Sequence, residues 1–406
     1  MNETSSKKEL SVHELYERLY RPEEAKRWFL LDVRNEDETK GWRVEGPAPV
    51  PYVNVPYFAF IDDPEAALKR VPADLGEAVV VCAKGSSSEF VAEVLRDAGR
   101  PAVNVAGGMI AWGDFHVPLR VPVEADAEGR FELWQFNRYG KGCLSYVVIA
   151  RGEAIVVDPS RFPELYERFA RSRGAKIVEV LETHVHADHL SGGAQLAKRN
   201  GARYRVLNAN GAEPTLGVAL SPLEGNLEIR LGGEQGVTVS AKALRTPGHT
   251  PGSTSYLVDG RYLLSGDTLF VQGVGRPDLG GHVDAWGRAL FHSLKDVVSA
   301  LPDDVQILPA HFGSYEEADA RGLVHGKLGE LRAKSPELAI SDEDEFVRAM
   351  RAGVKEAPAI YGEIVKANLG LVDPGDKAGE WELGKNECAA TAAKRRAHAE
   401  VRGMNR

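Results

Sequence analysis

The chain has 406 residues, 43% hydrophobic and 27% charged, with a formal net charge of -9 at pH 7. That length is enough to bury at least two ordinary cores, and the acidic balance removes any electrostatic reason to approach nucleic acid or an acidic lipid surface. No apolar run reaches the length that spans a bilayer, and Cys82, Cys143 and Cys388, odd in number and far apart, argue against a disulfide framework.

The opening residues, MNETSSKKELSVHELYERL, lack the apolar centre of a signal peptide, so a cytoplasmic protein acting on small molecules is expected. Neither nucleic acid nor a membrane is expected as a partner, and a homo-oligomer stays open. In chain order, the apolar runs WFLLDV, AVVVC and PAVNV alternate with the helical patterns SVHELYERL and SSEFVAEVLRDAG. This predicts a small parallel α/β domain over residues 1–120. The polar, turn-rich VPVEADAEGR reads as a linker over 121–130. Strand-like FELWQF, CLSYVVIA and EAIVVDP follow, then helix PELYERFARSRG, and strands mix with helices up to residue 315, which predicts an α+β domain over 131–315. Residues 316–406 read as a helical extension carrying DEDEFVRAMRAGV and PAIYGEIVKANLG, and they end in a basic tail, AATAAKRRAHAEVRGMNR.

The second domain carries the densest chemistry. The apolar run AKIVEVL delivers LETHVHADHLSGG, in which His184, His186, Asp188 and His189 fall within six residues. His184 and His186 are two apart and point the same way in extended chain, while Asp188 and His189 follow where the chain turns. SGGAQLAKRNG then begins a helix with Ser191 as its N-cap. Four ligand-type groups at the end of a buried strand point to metal. Similar settings recur downstream. His249 lies between two Pro-Gly pairs in RTPGHTPGS, and His311 follows a strand in VQILPAHFG. Asp267 in YLLSGDTLF and Asp158 in AIVVDPS end apolar runs, where a buried carboxylate is costly without a cation. Together they describe strand ends feeding one pocket, for one metal ion or two.

This ordered set, HxHxDH followed by His, Asp and His, resembles the metallo-β-lactamase superfamily over roughly residues 131–313. The resemblance implies an αββα sandwich with the metal at one edge of the paired sheets, and it leaves the reaction to the surrounding residues. The block SGDTLFVQGVGRPDLGGHVDAWGRALFHSL is similar to the persulfide dioxygenase (sulfur dioxygenase) branch, where Gly-Arg-x-Asp follows the ligand aspartate. That likeness implies one Fe(2+) per chain on His184, His249 and Asp267, a two-histidine, one-carboxylate set with positions left for a substrate sulfur and dioxygen. His186, Asp188, His189, His311 and Asp158 would orient ligands around it, or serve a second metal. Arg276 and Asp278 would line the substrate site, with the planar fork of Arg276 taking a glutathione carboxylate. The implied reaction joins the persulfide of glutathione, or of another low-molecular-weight thiol, with O2 and water to give sulfite and the thiol. Phe312 stands where dioxygenases of this group often carry Tyr. The alternative is a glyoxalase II-type thioester hydrolase, in which two Zn(2+) about 3.5–4 Å apart share a hydroxide.

The first domain resembles a rhodanese through FLLDVRNEDE, EAVVVCAKGSSSEFVAEVLRDAG and GGMIAW, over roughly residues 9–118. A strand ends at Cys82, the loop Lys84, Gly85, Ser86, Ser87 curls back, and a helix begins near Ser88. In that family the cysteine carries a sulfane sulfur, and loop N–H groups with the helix N-terminus stabilise the anionic persulfide. Ser87 stands where single-domain rhodaneses usually place arginine, and Lys84 is the replacement charge. Sulfite from the second domain would be an acceptor for the sulfur on Cys82.

Overall fold

A computed structural model describes residues 8–21, 27–207, 214–223, 227–232, 239–354 and 356–390. The basic tail from residue 391 lies outside them. The chain divides into two compact units, one formed by residues up to Val117 with Arg138–Lys141 and Leu383–Lys385, the other by the rest.

In the first unit, five strands form one parallel sheet in the order Glu9–Leu10, Ala102–Val105, Glu77–Val81, Trp28–Asp32, Tyr52–Asn54. Parallel strands need crossovers, and short amphipathic helices supply them. The first helix, Val12–Leu19, starts with a capping box between Ser11 and Glu14. The core joins Phe29, Leu31, Val80, Val91 and Leu95. Cys82 follows the central Glu77–Val81 strand directly, as the α/β pattern predicts.

The second unit is a two-sheet sandwich with helices on its outer faces. One six-stranded sheet runs Arg203–Arg205, Lys176–Leu181, Glu153–Val157, Cys143–Ala150, Glu132–Arg138, His116–Val121. The other runs Glu228–Leu231, Val239–Arg245, Thr254–Val258, Tyr262–Gly266, Gln306–Pro309, Gly326–Lys327. Residues 116–121 are therefore a strand of the first sheet, and its last residue, Val121, is where the linker was expected to begin. Helices Pro163–Ser172 and Gly193–Asn200 bury Tyr166, Ala170 and Leu196 against the first sheet beside Val147, Val156 and Val180. On the second sheet, Leu290, Phe291, Phe346 and Met350 pack with Leu263 and Ile307. The last two of these helix residues come from Glu343–Ala352, so the helical extension is partly a layer of the sandwich. Gly326–Lys327, within the region expected to be helical, instead adds an edge strand.

Strand register sets the site. Leu181 pairs with Val157 in parallel strands, which carries Glu182 and Asp158 out of the sheet side by side. Gly266 pairs with Pro309, also in parallel, which does the same for Asp267 and the segment leading to His311. Gly266 has φ +55, and a Cβ there would lie 2.7 Å from Cβ and Oγ1 of Thr183. The two sheets thus approach closely at the motif, and only glycine meets both demands.

Candidate metal centre

The ring and carboxylate atoms of His184, His249 and Asp267 lie within 4.8 Å of one another, all buried. Nε2 of His249 is 3.3 Å from Asp267 Oδ2 and Nε2 of His184 is 3.9 Å from it. The other ring nitrogen of each histidine is engaged. Nδ1 of His249 lies 2.9 Å from the Arg276 carbonyl oxygen, which can only accept, so Nδ1 carries the proton and Nε2 offers a lone pair. Nδ1 of His184 lies 3.0 Å from Thr183 Oγ1, whose hydroxyl donates to Asp158 Oδ2 at 2.8 Å. That hydroxyl therefore accepts from the imidazole, and Nε2 of His184 is again the bare nitrogen. His184 Nε2 and Asp267 Oδ2 are buried with no hydrogen-bond partner among the described residues. Such orphaned atoms are costly without a cation between them, so the set fits a metal ion. Burial, reinforced by neighbouring histidines, holds His184 well below the usual histidine range, and burial lowers His249 as well, so both are ready as neutral ligands.

The remaining motif residues fall into two further groups. His186 turns away from the triad: its Nε2 is 3.1 Å from Asp158 Oδ1 and 3.4 Å from Glu182 Oε2. Burial lowers this imidazole, but Asp158 and Glu182 outweigh it and push His186 up to about 10. Asp158 itself sits at φ 53, a left-handed conformation uncommon outside glycine, and it also accepts the Thr183 N–H at 2.6 Å. His311 bridges two carboxylates, with Nδ1 2.6 Å from Asp267 Oδ1 and Nε2 3.0 Å from Asp188 Oδ2. Against the opposing effect of burial, these carboxylates raise His311 well above its ordinary range. Nδ1 of His189 is 3.2 Å from Asp188 Oδ1, and burial with the nearby His186 lowers His189 to about 4.

Two thiols unmarked by any motif join these groups. Cys143 opens its strand and lies 3.3 Å from Asp188 Oδ2, forming a potential ligand group with Asp188, His189 and His311. A β-bridge from Cys143 to His311 holds it there. Cys388, fully buried, groups with Asp267 and His311. Burial, then Asp188 and Asp267, push its thiol well above the ordinary cysteine range. No spacing rule links residues so distant in sequence, so only the fold reveals them. Thr183 and Glu182 were adjacent to the motif, and their small or acidic side chains next to His184 were the one local signal.

Arg276 is buried, and the fork expected to take a substrate carboxylate is filled by Asp278: Nε to Oδ1 at 2.9 Å and Nη2 to Oδ2 at 2.6 Å. Its carbonyl is the acceptor that orients His249. Ser191 stands one residue before the N-cap position Gly192, yet its hydroxyl still accepts the Gly193 N–H at 2.9 Å.

In the first unit, the Gly85 N–H donates to Cys82 Sγ at 3.1 Å, and the Ser88 hydroxyl lies 3.1 Å from the same sulfur. Gly85 has φ +101, which folds the loop back over the sulfur, and the helix begins at Ser86 rather than near Ser88. Ser88 is buried, Ser87 half-buried, and Lys84 and Ser86 are exposed.

A strand-end cluster of metal-ligand-type side chains at the rim of an αββα sandwich, with a separate cysteine loop on a parallel α/β unit, defines a metallo-β-lactamase-type protein coupled to a rhodanese-like domain. Sequence comparison agrees: the metallo-beta-lactamase superfamily profile matches residues 138–311 and the rhodanese-like domain profile residues 11–114. The mouse (Mus musculus) persulfide dioxygenase ETHE1 is 30% identical over 203 residues, covering 49% of this chain and 71% of that protein. A hydroxyacylglutathione hydrolase of Anaeromyxobacter dehalogenans (strain 2CP-C) is 34% identical over 182 residues, covering 44% of this chain and 65% of that protein. A crystal structure of a metallo-beta-lactamase from Staphylococcus aureus subsp. aureus COL superposes with a TM-score of 0.54 at 27% identity, covering 60% of this chain and 74% of that one. The chain belongs to the metallo-beta-lactamase superfamily and carries a rhodanese-like domain ahead of its metal-binding domain. No helix among the described residues is long and apolar enough to cross a membrane.

Proposed function

We propose that this chain is a persulfide dioxygenase that uses one Fe(2+) on His184, His249 and Asp267 to oxidise a low-molecular-weight thiol persulfide, glutathione persulfide being the first to test. The observation that carries this reading is the division of labour among the histidines. His184 and His249 present bare Nε2 atoms toward Oδ2 of Asp267, whereas His186 is committed to Asp158 and Glu182, and both ring nitrogens of His311 are taken up by Asp188 and the other oxygen of Asp267. Two histidines and one carboxylate suit ferrous iron. Iron held there would supply a coordination sphere for the terminal sulfur and dioxygen. The balance is persulfide plus O2 plus water giving thiol and sulfurous acid. Thr183 and Asp158 fix the tautomer of His184, the Arg276 carbonyl fixes that of His249, and the buried surroundings exclude bulk water. The relative named persulfide dioxygenase supports the same reading.

A second reading, a two-zinc thioester hydrolase, is favoured by one feature: Asp188, His189 and His311 stand close enough, with Cys143, to hold another ion. The relative named hydroxyacylglutathione hydrolase points the same way. Anaerobically purified protein separates the two. One iron per chain, oxygen uptake with glutathione persulfide and no cleavage of lactoylglutathione support the dioxygenase. Two zinc ions per chain with thioester cleavage and no oxygen uptake overturn it.

For the first unit, we propose that Cys82 carries a sulfane sulfur and passes it to sulfite as thiosulfate. The Gly85 N–H and Ser88 hydroxyl at its sulfur support this role, since both can stabilise an anionic persulfide. Exposed Lys84 would draw the anionic acceptor to the loop.

A further inference from the structure

The segment Asn386–Ala390 holds a thiol against the metal centre. Ala389–Ala390 pairs antiparallel with Gly273–Gly275, the strand directly before Arg276. Asn386 Nδ2 donates to the Gly142 carbonyl at 2.9 Å. The Glu387 N–H lies 3.0 Å from the Tyr361 hydroxyl, and the Glu387 carbonyl accepts from Arg276 at 3.4 Å. These contacts anchor the residues on both sides of Cys388 and leave its side chain one direction, inward. The sulfur is fully buried and lies within 4.8 Å of ligand atoms of both Asp267 and His311. Two atoms bound to one ion at about 2.0–2.3 Å each are separated by up to about 4.6 Å, so a thiol within 4.8 Å of an Asp267 ligand atom lies at the edge of coordinating range of an ion on Asp267, within reach of a small shift of the side chain. Asp267 Oδ2, buried, lacks a hydrogen-bond partner among the described residues, which marks this corner as built around a cation.

We propose that Cys388 is a metal ligand: in the resting protein its thiolate binds the ion held by Asp267 and fills a position that a substrate sulfur must take. The thiol proton leaves to solvent as the sulfur–metal bond forms. A persulfide sulfur then competes with a sulfur of the same softness, and the Asn386–Ala390 segment must give way for it. This inference rests on the metal centre proposed above, though not on the identity of its native ion or its reaction.

Cobalt(II) loaded into the full, metal-stripped chain tests it, because thiolate coordination to cobalt produces intense near-ultraviolet charge-transfer absorption. The wild type and Cys143→Ser should show that band, and Cys388→Ser and Cys388→Ala should lose it while binding the same amount of cobalt. A wild type that binds cobalt without the band, or a band that persists in both Cys388 variants, overturns the assignment and leaves the metal centre standing. A wild type that binds no cobalt overturns both. If one Cys388 variant fails to fold, the other, together with the wild-type spectrum, still decides.

Discussion

Asp158 reaches the ring of His184 through one hydroxyl, that of Thr183, which donates to the carboxylate and accepts a hydrogen bond from Nδ1–H. The carboxylate therefore sets the tautomer of a proposed ligand it never touches. Asp158→Asn keeps the shape and tolerates the left-handed backbone but weakens the acceptor. Metal affinity should fall about 10–100-fold, as it does when such supporting partners are removed, measured by competition with a chromogenic chelator. Unchanged affinity would remove the relay from the argument.

Gly266→Val should be far more damaging than a surface substitution. Valine at φ +55 strains the backbone, and its Cβ meets Thr183 at 2.7 Å. The strain alone is about 1–3 kcal/mol, and displacement of Thr183 adds loss of metal. Thermal unfolding and metal content should fall together; retained metal with a lowered Tm would show that Thr183 stays in place.

Arg276→Ala should act on stability before substrate binding. Asp278 would be left buried and unpaired, a loss of about 3–5 kcal/mol for a buried pair broken on one side. Arg276→Ala with Asp278→Ala should recover part of it in denaturant unfolding. A raised KM with unchanged stability would return the arginine to the substrate site.

The His186 cluster predicts a pH dependence in the metal-free protein. His186 is held at about 10, above its ordinary value of 6.5, by Asp158 and Glu182 working against burial. A raised histidine contributes its full stability below the ordinary value and loses it as pH climbs through the folded one. Tm should therefore decline between pH 6.5 and 10, and His186→Asn should flatten that decline. An equal slope in the variant would assign the effect to other groups.

Cys82→Ser should abolish conversion of sulfite to thiosulfate and leave metal content and oxygen uptake near wild type. Mass spectrometry of the intact chain after exposure to a sulfane-sulfur donor should show a single-sulfur adduct in the wild type alone. No adduct, with thiosulfate output indifferent to Cys82, would make the first unit a rhodanese in fold only.

Much of this architecture is legible in the chain. Period-two and continuous apolar runs mark the strands, and HxHxDH after a buried strand marks a metal site, because both depend on neighbours within a few residues. Helices over Pro163–Ser172 and Glu343–Ala352 follow from local pattern for the same reason. What each polar group partners is another matter. His186 and His184 look alike in the motif, yet one faces Asp158 and Glu182 and the other faces Asp267. Arg276 looked free for substrate until the fold paired it with Asp278, and neither Cys143 nor Cys388 carries a local sign of its place beside Asp188 and Asp267. Ladder register, the close pass of Gly266 on Thr183 and the return of the C-terminal segment decide these pairings. They are contacts between segments far apart in sequence, and a buried charge takes whichever partner the packed sheets bring within reach.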